Sequence, residues 1–435
     1  MIGEAGTGQA RTGEAGTDEA GIGAAMPGEA SSDSPLLSAA VLRAMKGYMD
    51  DLGPSPFRAG QMEAALHVYE EMLRADPSSR EGHAGLYYAY SALGDRHRAM
   101  SHLGRAMQWP AILTLPYRGE GPPIPVLLLL SMNAGNVLFQ RFLNDRIFQT
   151  YVAIVEFFDA SMPLPAHRVV VNGIGDADVR APALAAAQSV LARTAAPVLN
   201  PPAAVLATGR SHNAERLAAI PGVIAPKTVA FSRQQLQSAG AADSLARSGF
   251  SFPLLVRAPG YHMGKHFVRI DAAGELAGAL STLPGDEFIV IQYLDSLAAD
   301  GKMRKYRVLA IDGRFYPVHL AVSSQWKIHY FSAEMADCPE HRAEEAEFLG
   351  NMAVVLGPRT MAALERIQST LGLDYAGIDF GLNRRGEVLL FEANATMAVY
   401  RPDADPKWDY RRAAVERVYE AVHRMLRTRA AAGSA

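Results

Sequence analysis

The sequence predicts an α/β protein: a small parallel-sheet unit, a larger α/β (α+β) domain after it, and an all-α helical hairpin region in front. Three observations carry this. Apolar runs such as PVLLLLS (125–131) and HRVVVNGI (167–174) alternate with helical stretches, the pattern of strands covered on both faces. The stretch LGLDYAGIDFGLNRRGEVLLFEANATM (371–397) reads as strand, polar turn and strand, with an acid in each arm. Between Leu36 and Trp109 the apolar residues keep a helical period.

The chain's 435 residues, 49% of them hydrophobic, suffice for several cores, and at roughly 100 to 200 residues per domain they imply two to four domains. Its 42 Lys+Arg against 45 Asp+Glu leave a net charge of -3, so no global field favours nucleic acid or an anionic membrane as partner. A single cysteine, Cys338, excludes an intrachain disulfide and reads as a small core residue. The longest apolar run, Val126 to Leu130, is far shorter than a bilayer span, and no basic region followed by an apolar one opens the chain. A cytoplasmic protein is expected.

Taken in order, residues 1–34 are rich in Gly, Ala, Glu and Thr, lack aromatics, and are expected to stay disordered. Residues 35–110 are helical. Gly60, Ala65, Tyr69 and Met72 superpose on Gly94, Ala99, Leu103 and Ala106 at a constant offset of 34, with Pro77 and Pro110 closing the units. This resembles tetratricopeptide repeats. Two units are too few to bury a continuous core, so the pair is expected to lean on the following domain or on a protein partner, a homodimer included. The Pro- and Gly-rich residues 111–124 read as a linker that disfavours helix and central strand. In the unit over 125–200, strands are expected at 125–131, 151–158, 167–174 and 196–200, with helices over Val137 to Gln149 and Ala181 to Arg193. Its turns NAGN (133–136) and NGIGDAD (172–178) sit where ligands meet strand ends, and ordinary tight turns explain them equally well. No GxGxxG motif opens a helix, so a dinucleotide is not indicated.

The final domain, residues 201–430, holds the chemistry. Side chains alternate along a strand, so Asp379 and Gly381 share one face of the first arm, and Leu390, Glu392 and Asn394 one face of the second. If the arms pair near Asp379 and Glu392, two carboxylates and an amide oxygen converge as hard ligands suited to Mg²⁺, with Mn²⁺ as an alternative. An ionised acid in an apolar strand otherwise needs a partner.

The D-x12-E-x-N arrangement, Gly377 before it and the order of the segments upstream resemble the ATP-grasp ligases, among them glutathione synthetase, D-alanine:D-alanine ligase and the ribosomal-protein glutamate ligases. The resemblance runs from about Val198 to the C-terminal helix and extends to the preceding unit, which looks like that family's pre-ATP-grasp domain. It implies ATP and a metal ion as cofactors, the metal held by Asp379, Glu392 and Asn394. Upstream it implies phosphate contacts by Arg210 and Lys227 in the segment 198–228, and by Arg257 and Lys265 flanking a glycine-bearing loop. It places the adenine against Gln292, Tyr293 and Leu294, and a phosphate- or substrate-holding arginine at Arg307. Arg257 stands where a lysine is common, Gln292 where an acid is common, and Lys305 where the usual acid-x-Arg pattern has its acid. His319, Lys327 and His329, interleaved with Trp326 and Tyr330, are candidate linings of a substrate pocket.

The activity so implied is ADP-forming ligation of a small-molecule or peptide carboxylate to an amine through an acylphosphate, with Arg307 and Arg257 as the catalytic cations and residues 258–264 as a lid. A nucleotide-binding regulator or scaffold acting through the helical repeats, or an ATP-grasp kinase, are the alternatives.

Overall fold

The computed structural model describes residues 62–433 apart from 94, 108–111, 132–134, 159–160, 260–263 and 329–333. Three helices come first: α1 (Met62–Ala75), α2 (Arg80–Ala92) and α3 (Arg96–Met107). Leu86, Tyr90 and Ala99 are buried among them with Leu66, Tyr69 and Leu73 alongside. Leu103 on α3 instead joins the core of the α/β unit, and Gly104 faces the Phe157 ring, so the helices lean on that unit. Gly60 and Gly94 of the repeat lie outside the described residues.

The α/β unit is a five-stranded sheet in the order β1-β3-β2-β4-β5. Its strands are β1 (Ile112–Thr114), β2 (Ile124–Leu130), β3 (Phe148–Ile154), β4 (Val169–Asn172) and β5 (Val198–Leu199). All pairings but β1 with β3 are parallel. Helix α4 (Ala177–Leu191) starts at Asp176, whose carboxylate accepts from the amides of Asp178 and Val179. Within the expected linker, Ile112–Thr114 form β1 at the sheet edge, where the neighbouring prolines cost no ladder bonds. One expectation changes. Val137 to Gln149 form no α-helix beyond one 3₁₀ turn at Phe139–Arg141. There Phe139 and Phe142 leave any helical face to pack on Tyr375, a tertiary contact that overrides local pattern.

The rest of the chain builds two more sheets. One is ordered β7-β10-β8-β9, from β7 (Thr228–Ser232), β8 (Leu254–Arg257), β9 (Phe267–Ile270) and β10 (Glu287–Gln292). Helices α7 (Arg233–Gln237), α8 (Ala241–Arg247) and α9 (Leu276–Ser281) cover one face, where Leu254, Val256, Phe288 and Val290 are buried with Leu236, Leu245 and Leu280. Alternation turns Leu255, Arg257 and Ile291 to the other face.

The last sheet runs β12-β11-β13-β14-β6, from β6 (Val223–Ile224), β11 (Met303–Ile311), β12 (Arg314–Ser323), β13 (Tyr375–Leu382) and β14 (Val388–Asn394). Tyr306, Val308, Ile378, Phe380 and Leu390 face the long helix α10 (Pro339–Leu371), while Leu309, Ile311 and Tyr375 pack with α11 (Arg412–Ala432). Short helices α5 (Pro202–Leu206) and α6 (Arg210–Ala218) lead from the first sheet to this one. Asn200 ties the two together: its amide donates to the Tyr375 carbonyl at 2.8 Å, and its side-chain oxygen accepts from the Tyr375 N–H at 2.9 Å. Among the described residues, no helix is long and apolar enough to cross a membrane.

Candidate functional site

The outer face of the β7-β10-β8-β9 sheet and the β11-β13-β14 face opposite it enclose a cleft of about 660 Å³. Two irregularities aim side chains into it. Pro317 sits on edge strand β12 beside a bulge at Arg307/Val308, which sets Arg307 opposite His319. A second bulge, at Asp379/Phe380, lets Phe391 stand unpaired, so Phe380 faces Leu390 while Asp379 faces Glu392. This corrects simple alternation along β14: Leu390 joins the core under α10, whereas Glu392 and Asn394 turn to the cleft with Asp379. Gly377, opposite Asn394, has no room for a Cβ because the Met397 side chain lies over it.

Asp379 is fully buried. Arg307, its register partner on β11, donates Nε to Oδ1 at 2.6 Å and Nη2 to Oδ2 at 2.7 Å. Lys305, two residues earlier on the same face, places Nζ 2.6 Å from Oδ2. Burial works against the charged acid, but Arg307 and Lys305 outweigh it and hold the carboxyl far below the ordinary carboxylate range. Burial also opposes the charge on Arg307, yet Asp379 raises its pKa above the ordinary arginine value. His319, buried beside Arg307, is pushed well below its ordinary value by desolvation first and by the Arg307 charge second, so it is neutral near pH 7.

Glu392 is held through Oε1, which accepts from the Asn394 amide at 2.9 Å and lies 3.4 Å from Arg210 Nη2. Arg210 is clamped from behind by Asp178, at 2.5 Å through Nη1 and 3.0 Å through its backbone N–H. Burial opposes its charge, and Glu392 and Asp178 together raise its pKa. Arg257 lines the opposite wall with its guanidinium over the Phe267 ring. Burial, and then repulsion from Arg210, lower its pKa. An anion entering between the two arginines relieves that repulsion and replaces their lost hydration.

The structure brings Asp379, Glu392 and Asn394 together but does not leave them fit to hold Mg²⁺ as a trio. Both Asp379 oxygens are taken by cations, and the Asn394 oxygen accepts from the Thr396 N–H at 2.9 Å and its hydroxyl at 2.8 Å. A magnesium ion needs near-octahedral oxygen donors, and a dication beside Lys305 and Arg307 is repelled. Among the described residues, no group of three or more His, Cys, Asp or Glu side chains is arranged to hold a metal ion.

Other expectations also shift. Lys227 and Lys265 do not line the cleft: the Lys227 ammonium lies over the Phe250 ring, and Lys265 is exposed beyond the loop. Gln292 lines it, but its amide is spent on the backbone: Oε1 accepts from Ser251 N–H at 3.0 Å, and Nε2 donates to the Ser251 and Pro253 carbonyls at 3.0 and 3.2 Å. Tyr293 and Leu294 line the cleft, Tyr293 with Arg269 stacked 4.4 Å from its ring centroid. His319, Trp326 and Lys327 line it too, while His329 and Tyr330 fall outside the described residues, as does most of the expected lid over 258–264. Sequence reasoning misses Asp178 and Asn213. Asn213 donates to the Ala393 carbonyl at 2.7 Å and fixes α6 to the bulged strand. The polar turn 172–178 is the available signal for Asp178.

Comparison with known proteins gives a limited return. No family model and no curated protein matches the chain. Among solved structures, the D-Ala:D-Ser ligase VanG of Enterococcus faecalis is similar with 12% identity and a TM-score of 0.44, over 71% of this chain and 100% of that one. The D-alanyl-alanine synthetase A of Vibrio cholerae is similar with 16% identity and a TM-score of 0.44, over 70% and 98%. The ATP-grasp ligase PsnB, complexed with precursor peptide PsnA2 and AMPPNP, is similar with 14% identity and a TM-score of 0.38, over 69% and 98%. At these values the likenesses add nothing to the assignment of the site, which rests on its own geometry.

Proposed function

We propose that the chain is an ATP-dependent carboxylate–amine ligase of the ATP-grasp type, working in the cytoplasm on a small-molecule or peptide acid. One observation carries this: Arg210, Arg257 and Arg307, on three separate elements, converge with Lys305 on a single cleft that has apolar walls at one end. Leu255, Ile291 and Phe391 suit the faces of a base, with the backbone at Gln292–Leu294 along its edge. Arg257 and Arg210 then meet the polyphosphate, and Arg307 lies where charge gathers as the terminal phosphoryl group passes to a substrate carboxylate. The acylphosphate formed is attacked by an amine, phosphate leaves, and an amide results. Neutral His319 beside Arg307 adds no charge of its own to that step. The helical region 35–110 is proposed in turn to meet a protein partner or a second copy of the chain.

The test is to supply ATP and magnesium with pools of amino acids and carboxylic acids and to measure ADP and phosphate. Acid- and amine-dependent ADP, with an amide product by mass, supports the ligase; a phosphorylated product points to a kinase. A second reading, a nucleotide-binding regulator, is favoured by the capture of both Asp379 oxygens by Lys305 and Arg307. ATP binding with no substrate-dependent ADP decides for it.

A further inference from the structure

The expected metal ligand Asp379 already has a cation on it. Lys305 Nζ stands 2.6 Å from Oδ2, on the cleft side of the sheet, and Arg307 closes both oxygens from the neighbouring position. Lys305 and Arg307 keep 18% and 22% of their side-chain surface exposed, while Asp379 keeps none. The carboxylate is therefore internal and the cleft presents the cations. Strand β11 fixes this: Arg307 is in register with Asp379, and Lys305 follows at period 2. Glu392, the other acid of the hairpin, is bound at Oε1 by Arg210 and Asn394. Arg210, Arg257 and Lys327 extend the positive lining, with Asp176 as a further acid on the wall.

We infer that Lys305 takes the place of a metal ion at Asp379, so that the cleft binds the polyphosphate of a nucleoside triphosphate through protein cations and without a requirement for divalent metal. This rests on the nucleotide reading above. Lys305 is a monocation on a flexible stem that donates three hydrogen bonds, so it can keep one on Asp379 and turn others to a phosphate oxygen. Asp379 then acts as the anchor that holds Lys305 and Arg307 extended toward the ligand. A dication would have to displace one of them and meet the remaining positive charge.

The experiment is calorimetric titration of the full chain with ATP, once in EDTA and once with magnesium. The expected result is binding of comparable affinity in both. Lys305→Gln is expected to weaken binding in EDTA by roughly tenfold to a hundredfold, the loss of one charge-assisted hydrogen bond. Lys305→Glu is expected to abolish binding in EDTA and to restore it with magnesium. Wild-type binding that needs magnesium overturns the inference and leaves the nucleotide reading standing. No ATP binding in either condition overturns the nucleotide reading, and the inference with it. If either variant unfolds, the wild-type comparison alone decides.

Discussion

Replacing Asp379 by Asn keeps the shape of the side chain and removes its charge, leaving Arg307 and Lys305 facing each other across a buried amide. Breaking a buried ion pair from one side costs about 3–5 kcal/mol. Both cations retain partial contact with cleft water, so the expected loss is nearer about 2–3 kcal/mol. In urea unfolding this is a midpoint lower by about 1 M. The sign with pH comes from the depressed pKa: the contribution is complete above the unfolded value near ~3.9 and is lost only as acid titrates the folded carboxylate. The gap between wild type and Asp379→Asn should thus be constant from neutral pH down to about pH 5 and close in stronger acid. Because Asp379 holds both cations toward the ligand, the substitution should weaken ATP binding in EDTA as stability falls. A stability loss under about 0.5 kcal/mol, within the range of an ordinary surface change, or unchanged or tighter ATP binding in EDTA, refutes the view of Asp379 as an internal anchor.

Arg257→Ala should weaken ATP binding about tenfold to a hundredfold with little change in unfolding midpoint, read by titration calorimetry. Gln292→Ala should lower stability by about 1–2 kcal/mol, since it releases Ser251 and Pro253, yet leave ATP affinity unchanged; a selective loss of affinity contradicts its structural role. His319 is buried with a depressed pKa, so the unfolded chain binds the extra proton, and wild-type stability should fall as pH drops below about 6.5, by at most about 1.4 kcal/mol per pH unit. His423, lowered chiefly by burial, adds in the same sense. His319→Gln should flatten that slope in urea midpoints compared at pH 7 and pH 5.5.

Local pattern makes the hairpin legible. The turn forms where Asn383 accepts from the Arg385 and Glu387 amides at 2.9 and 3.0 Å and Gly386 takes a positive φ. Asp379 and Glu392 do pair in register. Period-2 reasoning fails one residue later, because a bulge is an insertion that alternation alone does not mark. The metal expectation turns on something else. Sequence places donors, but it does not say whether Lys305 and Arg307, more than 70 residues upstream, reach the same carboxylate first. The absent helix near Phe139 has the same origin, a contact with Tyr375 that lies far along the chain. Motif order alone puts Lys227 and Lys265 at the phosphates, and their side chains point to Phe250 and to solvent instead.

If the cleft activates a carboxylate as its acylphosphate, a strong nucleophile should trap that intermediate. Hydroxylamine is supplied in place of the amine, with ATP, magnesium and a pool of carboxylic acids, and hydroxamate and ADP are recorded together. Hydroxamate is expected in equal amount to ADP, lost in Arg307→Met and dependent on the acid present. ATP bound in the cleft with neither hydroxamate nor ADP formed from any acid would contradict carboxylate activation.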